Sequence, residues 1–222
     1  MAYQDAENVM RKPIGVLLCA FALPALTAET KRFDLGDEKT GSAPAGWTLG
    51  RTGSGAPGKW LVEDGQGVGA TGRVVVQRDA DATDYRFPIA LLPGTSLTDG
   101  MISVRCRPLS GKVDQACGVV LRAKGEGEYV IARANALENN VRLYNVTAGL
   151  RRQFAGWNGT VAGEAWHDLS LSAAGDEYVV RFDGKEVIRA KNAEIPGPGS
   201  AGLWTKADSV TAFTDIVVEI RR

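Results

Sequence analysis

The feature that most constrains this chain runs from residue 128 to residue 146, where polar and apolar side chains alternate with a period of two. This period is typical of β-strands, and two such strands are separated here by a short polar loop. Val130, Ala132 and Ala134 share one face of the first strand, and Val141 and Leu143 share one face of the second. We therefore predict a β-hairpin with one buried apolar face.

The register of this hairpin follows from the same alternation. If Arg133 lies opposite Arg142, both strands place their apolar residues on a common face, whereas a shift by one residue would place Arg142 there. Two arginines directly opposite each other repel unless an anionic or hydroxylated group lies between them. The polar face of the hairpin is therefore a candidate ligand-binding surface.

Residues 1–28 have the pattern of a secretory signal peptide. Arg11 and Lys12 precede a short apolar run that ends in small residues. We predict cleavage after Ala28, with Thr27 as the rival site and Met10 as an alternative start. A membrane-spanning helix is the competing interpretation, but the apolar run contains two prolines and is shorter than the roughly 20 residues that a span needs.

The remaining residues, 29–222, are expected to form a single domain that is periplasmic or secreted. Subtracting the two basic and two acidic residues of the signal peptide from the 26 of each in the chain leaves 24 of each. This balance argues against nucleic acid or an anionic membrane as the main partner. No membrane span is expected after cleavage, and the sequence leaves the oligomeric state open.

Composition and turn signals predict an all-β domain. The chain contains 27 glycines, many β-branched residues and no long helical period. Asp183-Gly184 predicts a tight turn between two strands. We expect about 13 strands, spaced as in a large β-sandwich. The first is predicted at residues 32–35, and residues 36–58 are predicted to be rich in loops.

Two cysteines, Cys106 and Cys117, remain after the predicted cleavage. Each shares a strand face with apolar residues, and setting the cysteines opposite each other in a hairpin also sets Val104 opposite Val119. Directly opposed strand residues have Cβ atoms about 4.5–5.5 Å apart, near the reach of a disulfide. We predict a disulfide within a hairpin; two buried free thiols are the alternative.

Several short motifs follow one another in the second half of the chain. They are Gly118-Val-Val-Leu-Arg, Tyr129-Val-Ile-Ala-Arg-Ala-Asn, Trp166-His-Asp-Leu-Ser-Leu, Glu177-Tyr-Val-Val-Arg-Phe-Asp-Gly and Gly199-Ser-Ala-Gly-Leu-Trp. Their order resembles the concanavalin-A-like lectin/glucanase superfamily. It looks closest to laminin-G-like and 3-keto-disaccharide-hydrolase-like domains of exported bacterial proteins. The resemblance covers roughly residues 60–222 and implies a jelly-roll β-sandwich of two antiparallel sheets, whose concave sheet often binds sugars.

No catalytic motif is recognised. A family-16-type glucanase carries alternating carboxylates on one strand, with two of them about 5–5.5 Å apart as nucleophile and acid, and this chain has no such strand. Its close acid pairs lie beside turn residues, as solvated loop charges do: Asp79 and Asp81, Glu126 and Glu128, Asp176 and Glu177. The single histidine, His167, shares a face with Leu169 and Leu171 and is predicted to be packed.

No set of metal ligands with a recognised spacing is found, and no cofactor is predicted. Calcium is a candidate ion because the superfamily often binds it through loop carboxylates and carbonyls. Asp79, Asp81 and Asp84 form the densest acidic loop.

The candidate ligand-binding residues combine apolar rings with hydrogen-bonding groups, as sugar binding requires. They are Tyr129, Arg133, Asn135, Asn140, Arg142, Tyr144, Trp204, Lys206 and Asp208. Trp204 shares its predicted strand face with Lys206, which suits a mixed surface. The alternative is that Trp204 packs in the sandwich and the arginines are solvated. Trp47, Trp60 and Trp166 are predicted to pack in loops or the core.

These observations predict an exported protein that binds a carbohydrate or glycoconjugate. A glycoside hydrolase acting on a (3-keto-)disaccharide is the first alternative, and it requires two carboxylates that converge in a deep cleft. A protein-interaction or structural module is the second, and it is favoured if the concave face is filled by its own side chains.

Overall fold

The computed structural model describes Met1 and residues 28–221. The predicted signal peptide therefore lies outside the described residues except at its ends, Met1 and Ala28. The strands of the described part are β1 Ala28–Arg32, β2 Thr48–Gly53, β3 Trp60–Asp64, β4 Arg73–Gln77, β5 Arg86–Leu91, β6 Asp99–Ser110, β7 Ala116–Ala123, β8 Tyr129–Asn135, β9 Asn140–Thr147, β10 Leu150–Asn158, β11 His167–Ala174, β12 Glu177–Phe182, β13 Lys185–Lys191, β14 Ser200–Trp204 and β15 Val210–Arg221. A short 3₁₀ turn spans Gly65–Val68.

The strands form two antiparallel sheets. Sheet A has the order β13-β12-β11-β6-β15-β4-β3, and β1 also pairs with β15. Sheet B has the order β10-β9-β8-β7-β14-β5-β2. This arrangement confirms the predicted all-β jelly-roll sandwich. Across residues 28–221 there is no helix long and apolar enough to cross a bilayer.

The central strands of sheet B are buried on both faces. Alternate side chains of a strand point to opposite faces, yet every residue of β5, β7 and β8 is buried. The inner-face residues, such as Val130 and Leu143, join the main core between the two sheets. The outer-face residues, such as Phe87, Tyr144 and Trp204, form a second apolar cluster on the side of sheet B away from sheet A.

Two of the three predicted hairpins are confirmed. Arg133 pairs with Arg142 in the β8–β9 hairpin, and Val130 and Ala132 face the main core. Asp183 and Gly184 connect β12 to β13, with φ angles of 47° and 77°. Two consecutive positive φ values define the turn type that matches the twist of a two-residue hairpin.

Two predictions about the N-terminal part were wrong. The first strand is Ala28–Arg32 rather than residues 32–35, and its position is set by pairing with the end of β15. A further strand, Thr48–Gly53, lies in the region predicted to be rich in loops. This strand is an edge strand with two glycines and a mostly exposed surface, so it lacks the apolar alternation that would have revealed it.

The predicted disulfide between Cys106 and Cys117 is present, but it does not lie within a hairpin. Cys106 belongs to β6 in sheet A and Cys117 to β7 in sheet B, so the bond crosses the core between the sheets, with a Cα–Cα distance of 6.2 Å. Two strands that face each other across a sandwich carry the same apolar alternation as two paired strands. The pattern alone therefore could not distinguish the two arrangements.

We expect the Cys106→Ala/Cys117→Ala variant to be less stable than the oxidised protein by about 3 kcal/mol, because a crosslink over a short loop restricts the unfolded chain by about this amount. Urea unfolding of both proteins measures the difference. Reduced wild type is the control for the added packing change. An unchanged unfolding midpoint after reduction would contradict the expectation.

Candidate functional site

The residues predicted to bind a ligand come together on the outer face of sheet B. Tyr129 and Arg133 project there from β8, Arg142 and Tyr144 from β9, and Trp204 from β14. Asn135 and Asn140, at the ends of the two hairpin strands, are paired with each other. Lys206 and Asp208 follow β14 in a turn.

An aromatic layer forms the floor of this face. Trp204 stacks on Phe87 with a centroid distance of 5.2 Å and an interplanar angle of 18°. Its Nε1 donates to the hydroxyl of Tyr129 at 3.1 Å, and this hydroxyl also lies 2.8 Å from Thr52 Oγ1. Burial raises the pKa of Tyr129 to about 12. Trp204 and Tyr129 are both 0% exposed, so the layer is part of the fold.

Arg151, on β10, lies over this aromatic layer. Its guanidinium carbon is 4.4 Å from the ring centroid of Tyr144, 4.6 Å from that of Phe87 and 5.8 Å from that of Trp204. These distances are within the range of cation–π attraction. Arg151 was not predicted from the sequence because β10 has no buried residue, so apolar alternation does not assign its side chains to faces.

The expectation that Trp204 and Lys206 share an accessible strand surface was wrong. β14 ends at Trp204, so the alternation does not extend to Lys206. Trp204 packs against Phe87 below Arg151, whereas Lys206 turns toward two carboxylates, Asp84 and Asp114.

Asp114 is at the centre of a buried charge network beside the aromatic layer. Asn135 Nδ2 donates to Asp114 Oδ1 at 2.8 Å, and Lys206 Nζ lies 2.9 Å from Asp114 Oδ2. Arg133 Nη1 is 3.9 Å from the same oxygen. Burial raises the pKa of Asp114, and the two cations oppose this shift. Asp114 was not predicted from the sequence, because it follows a loop that contains Gly111 and belongs to no recognised motif.

Two further carboxylates hold the cations of the network. Glu138 Oε2 accepts hydrogen bonds from Arg133 at 2.8 Å and Asn140 at 2.9 Å, and the bond from Arg133 lowers the pKa of Glu138 to about 2. Asp84 Oδ1 accepts from Lys206 at 2.6 Å. Although burial acts to lower the pKa of Lys206, its hydrogen bonds to Asp84 and Asp114 raise it overall.

Asp208 has a structural role in this network. Its carboxylate accepts the backbone N–H groups of Lys112 at 2.6 Å, Val113 at 3.0 Å and Asp114 at 2.9 Å. These bonds fix the loop that leads into β7. Asp208 therefore positions Asp114 and does not direct its oxygens toward the open surface.

The open part of the face is a strip along β9 and β10, which we call the β9–β10 strip: Arg142, Tyr144, Arg151 and Gln153. Gln153 is exposed and lies opposite Tyr144, while Arg142 and Arg151 are partly exposed. Arg142 donates to Trp157 O and to Asn158 Oδ1, both at 2.7 Å. Its side chain crosses Gly156, where a Cβ atom would lie 2.7 Å from Arg142 Cδ.

Other residues that the sequence analysis considered are structural. His167 is packed as predicted, with Nδ1 2.8 Å from Asp183 Oδ2 and Nε2 2.8 Å from the carbonyl of Ala162. Trp60 is buried in the main core, Trp47 packs on Phe33, and Trp166 borders a smaller cluster.

The acidic loop considered for calcium has its carboxylates directed to separate partners. Asp79 pairs with Arg86 at 2.6 Å, and Asp84 pairs with Lys206. Asp81 accepts from Thr83 and from the Ala56 N–H, and these bonds lower its pKa to about 2. In the part of the chain that the structure describes, no three His, Cys, Asp or Glu side chains are grouped so that they could hold a metal ion.

Comparison with known proteins identifies the fold. No protein-family model and no curated protein sequence matches the chain. Among solved structures, the carbohydrate-binding module CBM66 from Bacillus subtilis matches with a TM-score of 0.62 at 18% identity, over 77% of this chain and 93% of that one. The chain has the concanavalin-A-like lectin/glucanase fold.

Two enzymes share this fold with the chain. The Crh5 transglycosylase in complex with NAG matches with a TM-score of 0.56 at 15% identity, over 89% of this chain and 85% of that one. The Bacillus licheniformis β-glucanase matches with a TM-score of 0.51 at 13% identity, over 82% and 96%. At these identities the likeness concerns the fold alone, and the laminin-G-like detail of the prediction stays a prediction.

We expect Arg133→Ala to destabilise the protein by about 3 kcal/mol, because removing one partner leaves the other charges of a buried network uncompensated. Arg133 is 1% exposed and bonds to Glu138 and Asn140. Urea unfolding measures the loss. Arg152→Ala, at an exposed position of β10, is the matched control and should change stability by less than about 0.5 kcal/mol. Equal effects of the two variants would contradict the structural role of Arg133.

Glu138 should contribute a pH-dependent part of the stability. Its pKa in the folded protein, about 2, is lower than its ordinary value of 4.5, so its contribution is present above about pH 4.5 and is lost as the pH falls toward 2. Glu138→Gln should therefore lower the melting temperature at pH 7, and the difference from wild type should shrink by pH 3. A difference of the same size at both pH values would show that the carboxylate charge is not involved.

Proposed function

We propose that this chain is an exported protein that binds a saccharide or glycoconjugate on the outer face of sheet B. The observation that carries the proposal is the β9–β10 strip. There Tyr144 lies between Arg142 and Arg151 along the strands, and Arg151 lies over its ring. Export to the periplasm or out of the cell rests on the composition of residues 1–28, with its basic pair, apolar run and small residues.

The strip has the chemistry that sugar recognition requires. Saccharides bind where an apolar ring is accompanied by a few hydrogen-bonding groups in fixed positions. Tyr144 is buried, with 8% of its surface exposed, and supplies the ring through the guanidinium of Arg151 that lies over it. Gln153, exposed beside it, supplies an amide that has no partner among the described residues. Arg142 is held by Trp157 and Asn158, so its orientation is set before a ligand arrives. Such preorganisation reduces the entropy that binding would otherwise cost.

The similar structures support this proposal. One is a carbohydrate-binding module, and another is a transglycosylase that was solved with NAG. The carboxylates of this face also favour a binding role over a hydrolytic one. Asp114 is buried between Lys206 and Arg133, Glu138 is held by Arg133, and a general acid in a glycosidase must instead be free to protonate its substrate.

A protein-interaction module is the second candidate function, because the aromatic layer is filled by the chain's own side chains. Trp204 and Tyr129 are buried, and Arg151 lies over the layer. A partner protein would then contact the same strip through its polar groups.

The experiment is a thermal-shift screen of the purified protein against a panel of neutral and acidic oligosaccharides, followed by calorimetry of each hit. A ligand at 100 times its dissociation constant should stabilise the fold by roughly 2.7 kcal/mol. We expect Arg142→Ala to weaken a hit by about tenfold, as expected for a lost charged hydrogen bond. Arg105→Ala, a half-exposed arginine of sheet A, is the control and should leave binding unchanged.

The outcomes separate the candidate functions. Binding that is lost in Arg142→Ala and retained in Arg105→Ala supports the saccharide site. Chromatography of the bound sugar after prolonged incubation then shows whether it is cleaved, which would favour the hydrolase. The absence of a shift with every oligosaccharide would overturn the saccharide proposal and favour the interaction module.

A further inference from the structure

We propose that the saccharide bound by the β9–β10 strip carries an acidic group, a carboxylate or a sulfate, and that Arg151 binds this group. The inference rests on the proposed function and deepens it, because it names the chemical class of the ligand.

The three fully buried arginines of the described residues are compensated by carboxylates. Arg86 Nη2 lies 2.6 Å from Asp79, Arg133 Nη2 lies 2.8 Å from Glu138, and Arg122 Nη2 lies 3.5 Å from Asp99. Arg151 is only partly exposed and, like Arg107 and Arg142, has no such partner among the described residues. Within residues 28–221, no carboxylate lies within 4.0 Å of its guanidinium.

One nitrogen of Arg151 is buried without a hydrogen-bond partner. Among the described residues, no acceptor is bonded to its Nη1. The aromatic rings below attract the positive charge, but a ring face does not replace the hydrogen bonds that the guanidinium loses on leaving water. In the described part of the chain, the other guanidinium nitrogens of Arg151 also lack a hydrogen-bond partner, and because the side chain is partly exposed, an acceptor on a ligand would bond to them. A carboxylate or sulfate fits best, because a guanidinium binds such groups with two parallel charge-assisted bonds.

The two arginines of the strip are expected to bind different parts of the ligand. Arg151 lies opposite Val146, Gln153 opposite Tyr144 and Gly156 opposite Arg142. Arg142 thus lies four residues from the position opposite Arg151, or about 13 Å at 3.3 Å per residue. Arg142 already donates to neutral oxygens of Trp157 and Asn158. The acidic group therefore belongs at Arg151, and sugar hydroxyls belong at Gln153 and Arg142.

The whole chain does not attract anions by its net charge. It has 26 basic and 26 acidic residues, so long-range steering of a polyanion is not expected. Binding of an acidic saccharide must then come from local groups. This makes the inference specific to one residue and testable by its replacement.

The experiment compares each acidic oligosaccharide with its neutralised form by calorimetry on the purified protein. Oligogalacturonate is compared with its methyl ester, and a sulfated oligosaccharide with its desulfated form, which separates the two sources of negative charge. We expect one acidic form to bind at least about tenfold more tightly than its neutral counterpart, with an affinity that falls as ionic strength rises.

Arg151→Gln should remove this preference, so that the acidic and neutral forms bind alike. Arg152→Gln is the matched control, because Arg152 is an exposed neighbour that alternation places on the other face of β10, and it should leave the preference intact. Arg151→Lys keeps the charge without the planar fork and should retain part of the preference. It also serves if Arg151→Gln fails to fold.

Each outcome decides the inference. Tight binding of a neutral saccharide with no preference for an acidic form would overturn it and would leave the proposed function standing. A preference that is lost equally in Arg151→Gln and Arg152→Gln would overturn the role of Arg151. Failure of every oligosaccharide to bind would overturn the inference together with the proposed function.

Discussion

Burial of the central strands of sheet B on both faces is the constraint on which the rest of this structure depends. A sheet that faces water on one side can leave its polar residues to the solvent, but a sheet covered on both sides must pair them within the protein. The outer face therefore combines an aromatic layer around Trp204 and Phe87 with a charge network centred on Asp114. Cations and carboxylates alternate through this network, and none of Asp114, Arg133 and Lys206 is left as an isolated buried charge.

Because of this pairing, the outer face has a buried layer that contains Arg133 and a partly exposed layer that contains Arg151. Arg133, which the sequence singled out as a ligand-binding residue, bonds to Glu138 and Asn140 and is almost inaccessible. Arg151, which the sequence did not single out, lies above the rings and lacks a carboxylate partner in the described residues. The buried network is held by several hydrogen bonds and ion pairs and makes a rigid base, whereas the partly exposed cation on top of that base is available to a ligand. Ligand binding on this face is therefore expected along β9 and β10, at one edge of sheet B.

The sandwich itself is held by a disulfide between its sheets and by the pairing of strands that are distant in sequence. Cys106 and Cys117 join the two sheets through the core, and the final strand, β15, pairs with β1, β4 and β6. These pairings explain why local patterns served some elements better than others. The β8–β9 register and the Asp183-Gly184 turn were predictable because each depends on residues close in sequence. The strand Thr48–Gly53 was not, because its conformation is imposed by pairing with β5.

The sequence by itself determined the all-β class, the two faces of the central hairpin, the packed state of His167 and the identity of the bonded cysteines. These properties follow from alternation with a period of two and from turn chemistry, which act over a few residues. Only the tertiary structure decided that the disulfide crosses the core, that Trp204 is buried and that Arg151 lies over Tyr144. The physical reason is that burial and charge pairing depend on which strands and which faces meet, and alternation within one strand does not fix this even for strands that are consecutive in sequence.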